Sequence, residues 1–300
     1  MLKDKYIDYL TFEKRYSTHT ILAYRADLDE YSGFLQSQYN IIDLLQSDHT
    51  LIRSWLISLL ELKNSNRSVN RKISTLKSFY RFCEKMGLLE TNPMIKVVAP
   101  QISKQLPVFL THNNIDTLFQ SVDFGSGLKG SRDKLILTLF YATGIRREEL
   151  VNIKTNDIDL ITGTIKVLGK RNKERIIPIG PKVIAEINNY LLIRSNSTII
   201  VEDANLNNNT TLFVTTRGLP VNPKLVYSIV HKYLALISSS SKLSPHVLRH
   251  TFATHMLDDG ADINAIKELL GHSSLAATQV YTHNTIEKLK TIYKQAHPRA

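Results

Sequence analysis

One cysteine, Cys83, stands among 300 residues. That excludes an internal disulfide and any zinc site of the CxxC kind. No uninterrupted apolar run approaches the roughly 18 residues that would mark a membrane-spanning helix. The opening "MLKDKYIDYLTFEKRYS" mixes acids and bases around no apolar segment, so it does not read as a signal peptide. No internal repeat is apparent. The expectation from these absences is a folded cytoplasmic protein with no membrane partner. Acidic residues are in short supply: 27 Asp and Glu face 38 Lys and Arg, for a net charge of +11. Such a balance suits a polyanion, either nucleic acid or an anionic membrane surface, while a merely soluble basic protein is the plain alternative. Residues 1–100 carry 14 basic against 11 acidic side chains and residues 101–300 carry 24 against 16, so a polyanion would meet both parts.

Hydrophobic residues make up 43% of the chain, enough for real cores, and the length fits two ordinary domains. The first part reads as helices only. Ser17 precedes a helix with Ile21, Leu22, Tyr24, Leu28, Tyr31 and Leu35, and Asp48 precedes one with Leu51, Trp55, Leu56, Leu59 and Leu60. Ser68 is placed as the cap of a third helix that Gly87 ends, with Val69, Ile73, Leu76, Tyr80 and Cys83 as its apolar stripe. Arg67, Arg71, Ser74, Ser78, Arg81 and Lys85 run two residues out of phase, about 200° around the helix. That Ser/Arg/Lys face suits a phosphate backbone, or is an ordinary solvated face. "NPMIKVVAPQISKQLP", with three prolines, reads as a linker, which sets the domains at 1–95 and 106–300 with 96–105 between. In the second part "SRDKLILTLFYATGIRREELVNI" is a helix pair broken near Gly144. "GTIKVLGKRNKERIIPIG" is a hairpin turning at Gly169–Lys173. "TIIVEDANLNNNTTLFVTT" is an Asn-rich loop, around Asn205–Asn209, and then a short strand.

From Ser244 to His283 the chain reads "SPHVLRHTFATHMLDDGADINAIKELLGHSSLAATQVYTH" and holds five of the ten histidines. Ser244 and Pro245 place a helix start, so His246 and Arg249 fall in its first turn or so and share a face. A helix N-terminus already favours an anion, and a guanidinium fork matches two phosphate oxygens, so the pair reads as a phosphate clamp. Val247, Leu248, Thr251, Phe252 and Met256 anchor the helix, and Gly260 ends it. Asp262 caps the next helix, Gly271 ends that, and His272 follows at the exit. Ser274 opens a last short helix that carries Tyr281. His246 and His250 have the spacing of zinc ligands on a helix, but Arg249 would set a positive charge beside the ion. His250 and His255 read as structural. No metal or other cofactor is expected.

Four stretches together carry a resemblance. "HVLRHTFATHML" with "LLGHSSLAATQVYTH" resembles the C-terminal signature of the tyrosine recombinases, the phage integrase family. "YATGIRREEL" resembles that family's first arginine motif, "VLGKRNKERIIPIG" its lysine-bearing hairpin, and the N-terminal helices its core-binding, SAM-like domain. The compact layout and the ending "IEKLKTIYKQAHPRA" are similar to the bacterial Xer recombinases, which resolve chromosome dimers at cell division. The resemblance implies a mainly α fold with a small antiparallel sheet: a two-domain DNA clamp of a four-helix SAM-like domain and a tyrosine-recombinase catalytic domain. It implies Tyr281 as nucleophile, Arg146 and Arg249 as clamp arginines, His246 and His272 as further phosphate-site groups, and Lys170 as general acid. Glu149 takes the family's supporting acidic position. Arg171 and Lys173 beside the acid, with Arg67, Arg71, Arg81 and Lys85 on the helix face described above, are the expected DNA contacts. Two departures stand out. Arg171 replaces a common glycine, which leaves Lys173 as a rival acid, and Glu148 replaces a small polar residue. The implied partners are double-stranded DNA, a tetramer of like chains or of two recombinases, and an activating division protein. A mobile-element integrase of the same chemistry is the alternative, as is a non-catalytic DNA-binding protein. The lack of an extra N-terminal arm-binding domain speaks for the Xer reading. The last helix, with Ile286, Leu289 and Ile292 or Tyr293, is expected to dock into a neighbouring subunit.

Overall fold

The computed structural model describes residues 2–102, 108–169, 174–197, 211–240, 242–271 and 283–297, the stretch 283–288 by its backbone alone. The chain divides into two compact units, residues 1–105 and 106–300. Among the described residues it is mostly helical with one small antiparallel sheet, the expected fold class. No described helix is long and apolar enough to cross a membrane.

The first unit is built from α1 (Leu2–Asp8), which runs on into a wider π turn, α2 (Thr18–Tyr39), α3 (His49–Glu61) and α4 (Asn66–Lys85). Ser17 and Asp48 cap α2 and α3 through their side chains, as read from the sequence. For α4 the cap is Ser65 and not Ser68: the Ser65 hydroxyl accepts the Ser68 N–H at 3.2 Å. The whole predicted stripe of α4 is buried, with Phe79 and Phe82 beside it, and Tyr6, Tyr31 and Trp55 complete the core. Each such side chain contributes about 1.5–3 kcal/mol by leaving water. Asp27 is buried at the centre of a polar knot, where it accepts from Arg71 and, at 2.8 Å, from the Thr75 hydroxyl. Lys72 Nζ lies 3.3 Å from it and also pairs with Glu30. Arg67, Ser74, Arg81 and Lys85 are exposed, while Arg71, half exposed, already holds an acidic partner within the fold. The proline-rich stretch is no loose tether as far as Gln101. Met94 and Val97 are buried in this core, and the carbonyls of Lys96, Pro100 and Gln101 accept from Arg53, Asn70 and Asn66.

The second unit contains α5 (His112–Gln120), α6 (Gly127–Thr143), α7 (Arg147–Val151), α8 (Pro181–Asn196), α9 (Pro223–Leu234), α10 (Pro245–Asp258), α11 (Ile263–Leu270) and α12 (His283–Ala296). Its sheet has the order β1 (Ile158–Asp159), β2 (Thr164–Leu168), β3 (Glu174–Pro178), all antiparallel. α6 is buried on every side, from Leu135 to Thr143, and packs against α8, α9 and α10. Along the hairpin Ile165, Val167 and Ile177 turn inward, and so does one charged residue, Arg175, opposite Val167. The strand expected after the Asn-rich segment is only a pair of single bridges, Lys154 with Thr211 and Val214 with Pro220. The chain turns back at Gly218, and Pro220 has no N–H with which to extend a ladder. His255 is structural, as expected: its ring meets the Tyr141 hydroxyl at 3.0 Å and the Leu110 carbonyl at 2.9 Å. Burial and the stacked His112 push its pKa down. The last helix, expected to dock into a neighbour, buries Leu289, Tyr293 and Ala296 in its own unit's core.

Candidate active site

The site grows from a glycine. Gly144 ends α6 in the left-handed conformation, φ +59°, and a Cβ there would lie 2.5 Å from Phe252 Cδ1 and 2.6 Å from Leu270 Cδ2. Only glycine satisfies both constraints. The sharp exit puts Arg146 at the N-cap of α7, a position that normally selects an acceptor side chain. Arginine cannot accept, so the cap is served from inside the helix: Glu149 Oε2 accepts the Arg146 N–H at 2.9 Å. A local rule is broken where the side chain is wanted for something else.

Glu149 is buried and gathers two arginines. Arg146 Nη1 donates to its Oε1 at 2.7 Å, and Arg175 donates to both oxygens at 2.8 Å in a two-pronged pair. Burial alone would push the Glu149 carboxyl up. The hydrogen bonds and charge of Arg175, with the backbone N–H and guanidinium of Arg146, overcome it and hold the group at about 2. Arg175 was missed in the sequence. Its signal was a charged residue at an inward position of "ERIIPIG", between Glu174 and Ile176.

The end of α11 supplies the second set of anchors. Gly271 leaves the helix at φ +65°. Three successive carbonyls there accept from three different arginines: Leu269 from Arg175 Nε at 2.9 Å, Leu270 from Arg249 Nη2 at 2.8 Å, Gly271 from Arg146 Nη2 at 3.0 Å. The partial negative charge of a helix C-terminus thus offsets the repulsion among three cations. Arg249 also donates to the Gly144 carbonyl. Its pKa is pushed down to about 10, first by burial and then by the positive charges of Arg146 and Arg175, with Glu149 pulling upward; at neutral pH it stays a cation.

Arg146 and Arg249 are half-buried, and each spends two of its five N–H donors on these anchors. Their other donors meet no acceptor among the described residues. Two oriented guanidiniums of this kind can take the non-bridging oxygens of a phosphate. His246 stands exposed in the first turn of α10, whose start at Ser244 and Pro245 is as read, although the Ser244 hydroxyl makes no capping bond. His250 lies at the edge of the Phe109 ring. Among the described residues no three His, Cys, Asp or Glu side chains group as metal ligands. The exposed Glu148 pairs with the half-buried Arg147, away from Glu149. Lys170, Arg171, Lys173, His272, Ser274 and Tyr281 lie outside the described residues, as does the Asn-rich segment.

Residues 108–288 match the model of the phage integrase family, and residues 4–87 match that of the phage integrase N-terminal SAM-like domain. The chain is 40% identical over 297 residues to tyrosine recombinase XerC of Oceanobacillus iheyensis, which covers 99% of this chain and 96% of that one. It is 36% identical over 297 residues to tyrosine recombinase XerD of Staphylococcus haemolyticus, with coverages of 99% and 98%. In fold it is similar to the XerH site-specific recombinase, solved in a post-cleavage complex with its palindromic difH substrate. The TM-score is 0.70 at 20% identity, over 93% of this chain and 76% of that one.

Proposed function

The chain belongs to the phage integrase family, and from that premise we propose that it is a site-specific tyrosine recombinase of the Xer type, acting on DNA through Tyr281. The observation that carries this reading is the pair Arg146 and Arg249, held half-buried by backbone carbonyls and by Glu149. A phosphodiester has one negative charge, and its pentavalent transition state gathers more on the same oxygens. Fixed guanidiniums stabilise that gain at no cost in reorganisation. His246, on the first turn of α10, and His272, next in sequence after Gly271, add donors to the same phosphate.

The Tyr281 hydroxyl attacks phosphorus and forms a 3′-phosphotyrosine, which conserves the bond energy. The leaving 5′ oxygen takes a proton from Lys170, a contribution typically of about 10²–10⁴-fold. The 5′ hydroxyl of another strand then reverses the step, so strand exchange needs no ATP. Exchange between two duplexes calls for four protomers, either of this chain or of this chain with a second recombinase. XerC and XerD relatives at similar identity leave both arrangements consistent with the sequence. The chromosomal role is dimer resolution during segregation, switched on by a division protein.

The test is covalent trapping. Wild-type protein should form a denaturation-resistant adduct with DNA, and sequencing that DNA should return one locus near the replication terminus. Tyr281→Phe should bind the same DNA and form no adduct. An adduct from the variant would assign the nucleophile elsewhere, and dispersed sites in mobile elements would move the role to an integrase.

A further inference from the structure

Arg175 has no part in the chemistry just described, yet it is among the most fully engaged cations in the molecule. It is 4% exposed, on the inward face of β3 opposite Val167. A Cβ on Gly271 would lie 3.1 Å from its Cδ and 3.3 Å from its Nε, so the helix exit sits directly against it. DNA cannot reach it. Stability alone does not explain such a residue: a well-packed apolar side chain in place of a buried charge is often as stable or more so.

Its three donor atoms reach two separate elements from a third. Nη1 and Nη2 hold Glu149, on the helix that presents Arg146. Nε holds the Leu269 carbonyl, first of the three that take the arginines. Arg175 itself belongs to the return strand of the hairpin, five residues after Lys170 in sequence. We propose that Arg175 is a positioning residue of the recombination reaction, which sets the Arg146 helix, the α11 exit and the lysine-bearing hairpin in register by gripping Glu149 and Leu269 at once. This rests on the recombinase reading above. Arg175 touches no substrate. It acts through Glu149, which keeps Arg146 aimed, and through the exit that leads to His272.

The experiment uses the full chain with Arg175→Met, which keeps the stem and removes the charge, and Arg175→Lys, which keeps a charge and loses the fork. The first readout needs no activity. Carbon-13 NMR follows the Glu149 carboxyl, identified by its absence in Glu149→Gln. Three cations face that carboxyl: Arg146 from its own helix, Arg175 from β3 and Arg249 from α10. In Arg175→Met burial remains while the principal partner is gone, so the carboxyl should become at least about tenfold weaker as an acid, one pKa step. Arg175→Lys should recover part of that.

The second readout separates DNA affinity from single-turnover cleavage. Arg175→Met should bind within about twofold of wild type and cleave on the order of 10²-fold more slowly, the scale of a small misplacement at a reacting centre. The deficit should deepen as pH falls and Glu149 takes up a proton. Arg175→Lys should cleave faster than Arg175→Met and slower than wild type. An unchanged Glu149 titration, or binding and cleavage lost equally in step with melting temperature, overturns the proposal. Wild-type protein that never cleaves DNA refutes the recombinase reading instead, and the Glu149 titration then still decides whether Arg175 holds the carboxylate.

Discussion

Alanine at Gly144 should be among the most damaging small substitutions in the second unit, by an amount that follows from two separate costs. The backbone there has φ +59°, where an L side chain loses about 1–2 kcal/mol. The new methyl would lie 2.5 Å from Phe252 and 2.6 Å from Leu270, both buried, and such overpacking typically costs about 1–3 kcal/mol more. The sum is roughly 2–5 kcal/mol, or about 2–4 °C of melting temperature per kcal/mol for a unit of this size. Gly260→Ala is the matched control. It has φ +86° and nothing within 4 Å of the added carbon, so it should show the backbone cost alone, about 1–2 kcal/mol. Urea denaturation followed by far-UV circular dichroism measures both. The single tryptophan, Trp55, sits in the core of the first unit, so its fluorescence transition should stay in place. Equal losses in the two variants, within about 0.5 kcal/mol, would refute the packing argument. A shifted Trp55 transition would refute the separation of the units.

Glu149 makes the network sensitive to acid. Its folded pKa of about 2 lies below its ordinary 4.5, so its contribution is complete above about pH 5 and is lost as pH falls through the folded value. By linkage that is on the order of 3 kcal/mol. The gap in urea midpoint between wild type and Glu149→Gln should therefore be wider at pH 7 than at pH 3, and a gap independent of pH would contradict it. Lys170→Ala should be rescued on DNA whose bridging 5′ oxygen is sulfur, since a leaving thiolate needs no proton. Arg146→Ala and Arg249→Ala should not be rescued, and rescue of Lys173→Ala alone would move the acid along the hairpin. DNA affinity should fall about 10³–10⁵-fold between 50 and 200 mM salt if roughly 6–10 phosphates are neutralised. A flat salt response would argue against a clamp made by two basic units.

What could be read in the sequence was what depends on short-range rules. Ser17, Asp48 and Asp262 each stand before an apolar stripe and do cap their helices. The alternation of the hairpin gave β2 and β3. Ser65 and Ser68 precede the same stripe, and periodicity cannot choose between them. Leu135 to Thr143 of α6 offers no polar face, and that run is buried on all sides. The prolines of the 93–101 stretch drew attention from Met94 and Val97, which tie it to the first core. Arg249 was legible beside His246 as a clamp at a helix start, whereas Arg146 and Glu149 came from the resemblance, because a lone arginine carries no mark of its partners. The acceptors that orient them are backbone carbonyls, present at every residue and therefore invisible in any sequence. Arg175 was legible in principle, as a charge in an inward register, but only once the hairpin had been given a face.

The three carbonyls at the end of α11 set a rule about length. Each residue of an α-helix advances the chain by about 1.5 Å and turns it by about 100°. One residue added or removed between Asp262 and Gly271 would swing the Leu269, Leu270 and Gly271 carbonyls away from Arg175, Arg249 and Arg146 together. Exposed positions such as Ile263 and Asn264 carry no such penalty. This eight-residue helix is a ruler: its surface is free to drift in composition, but an insertion or deletion within it would silence all three arginines at a stroke.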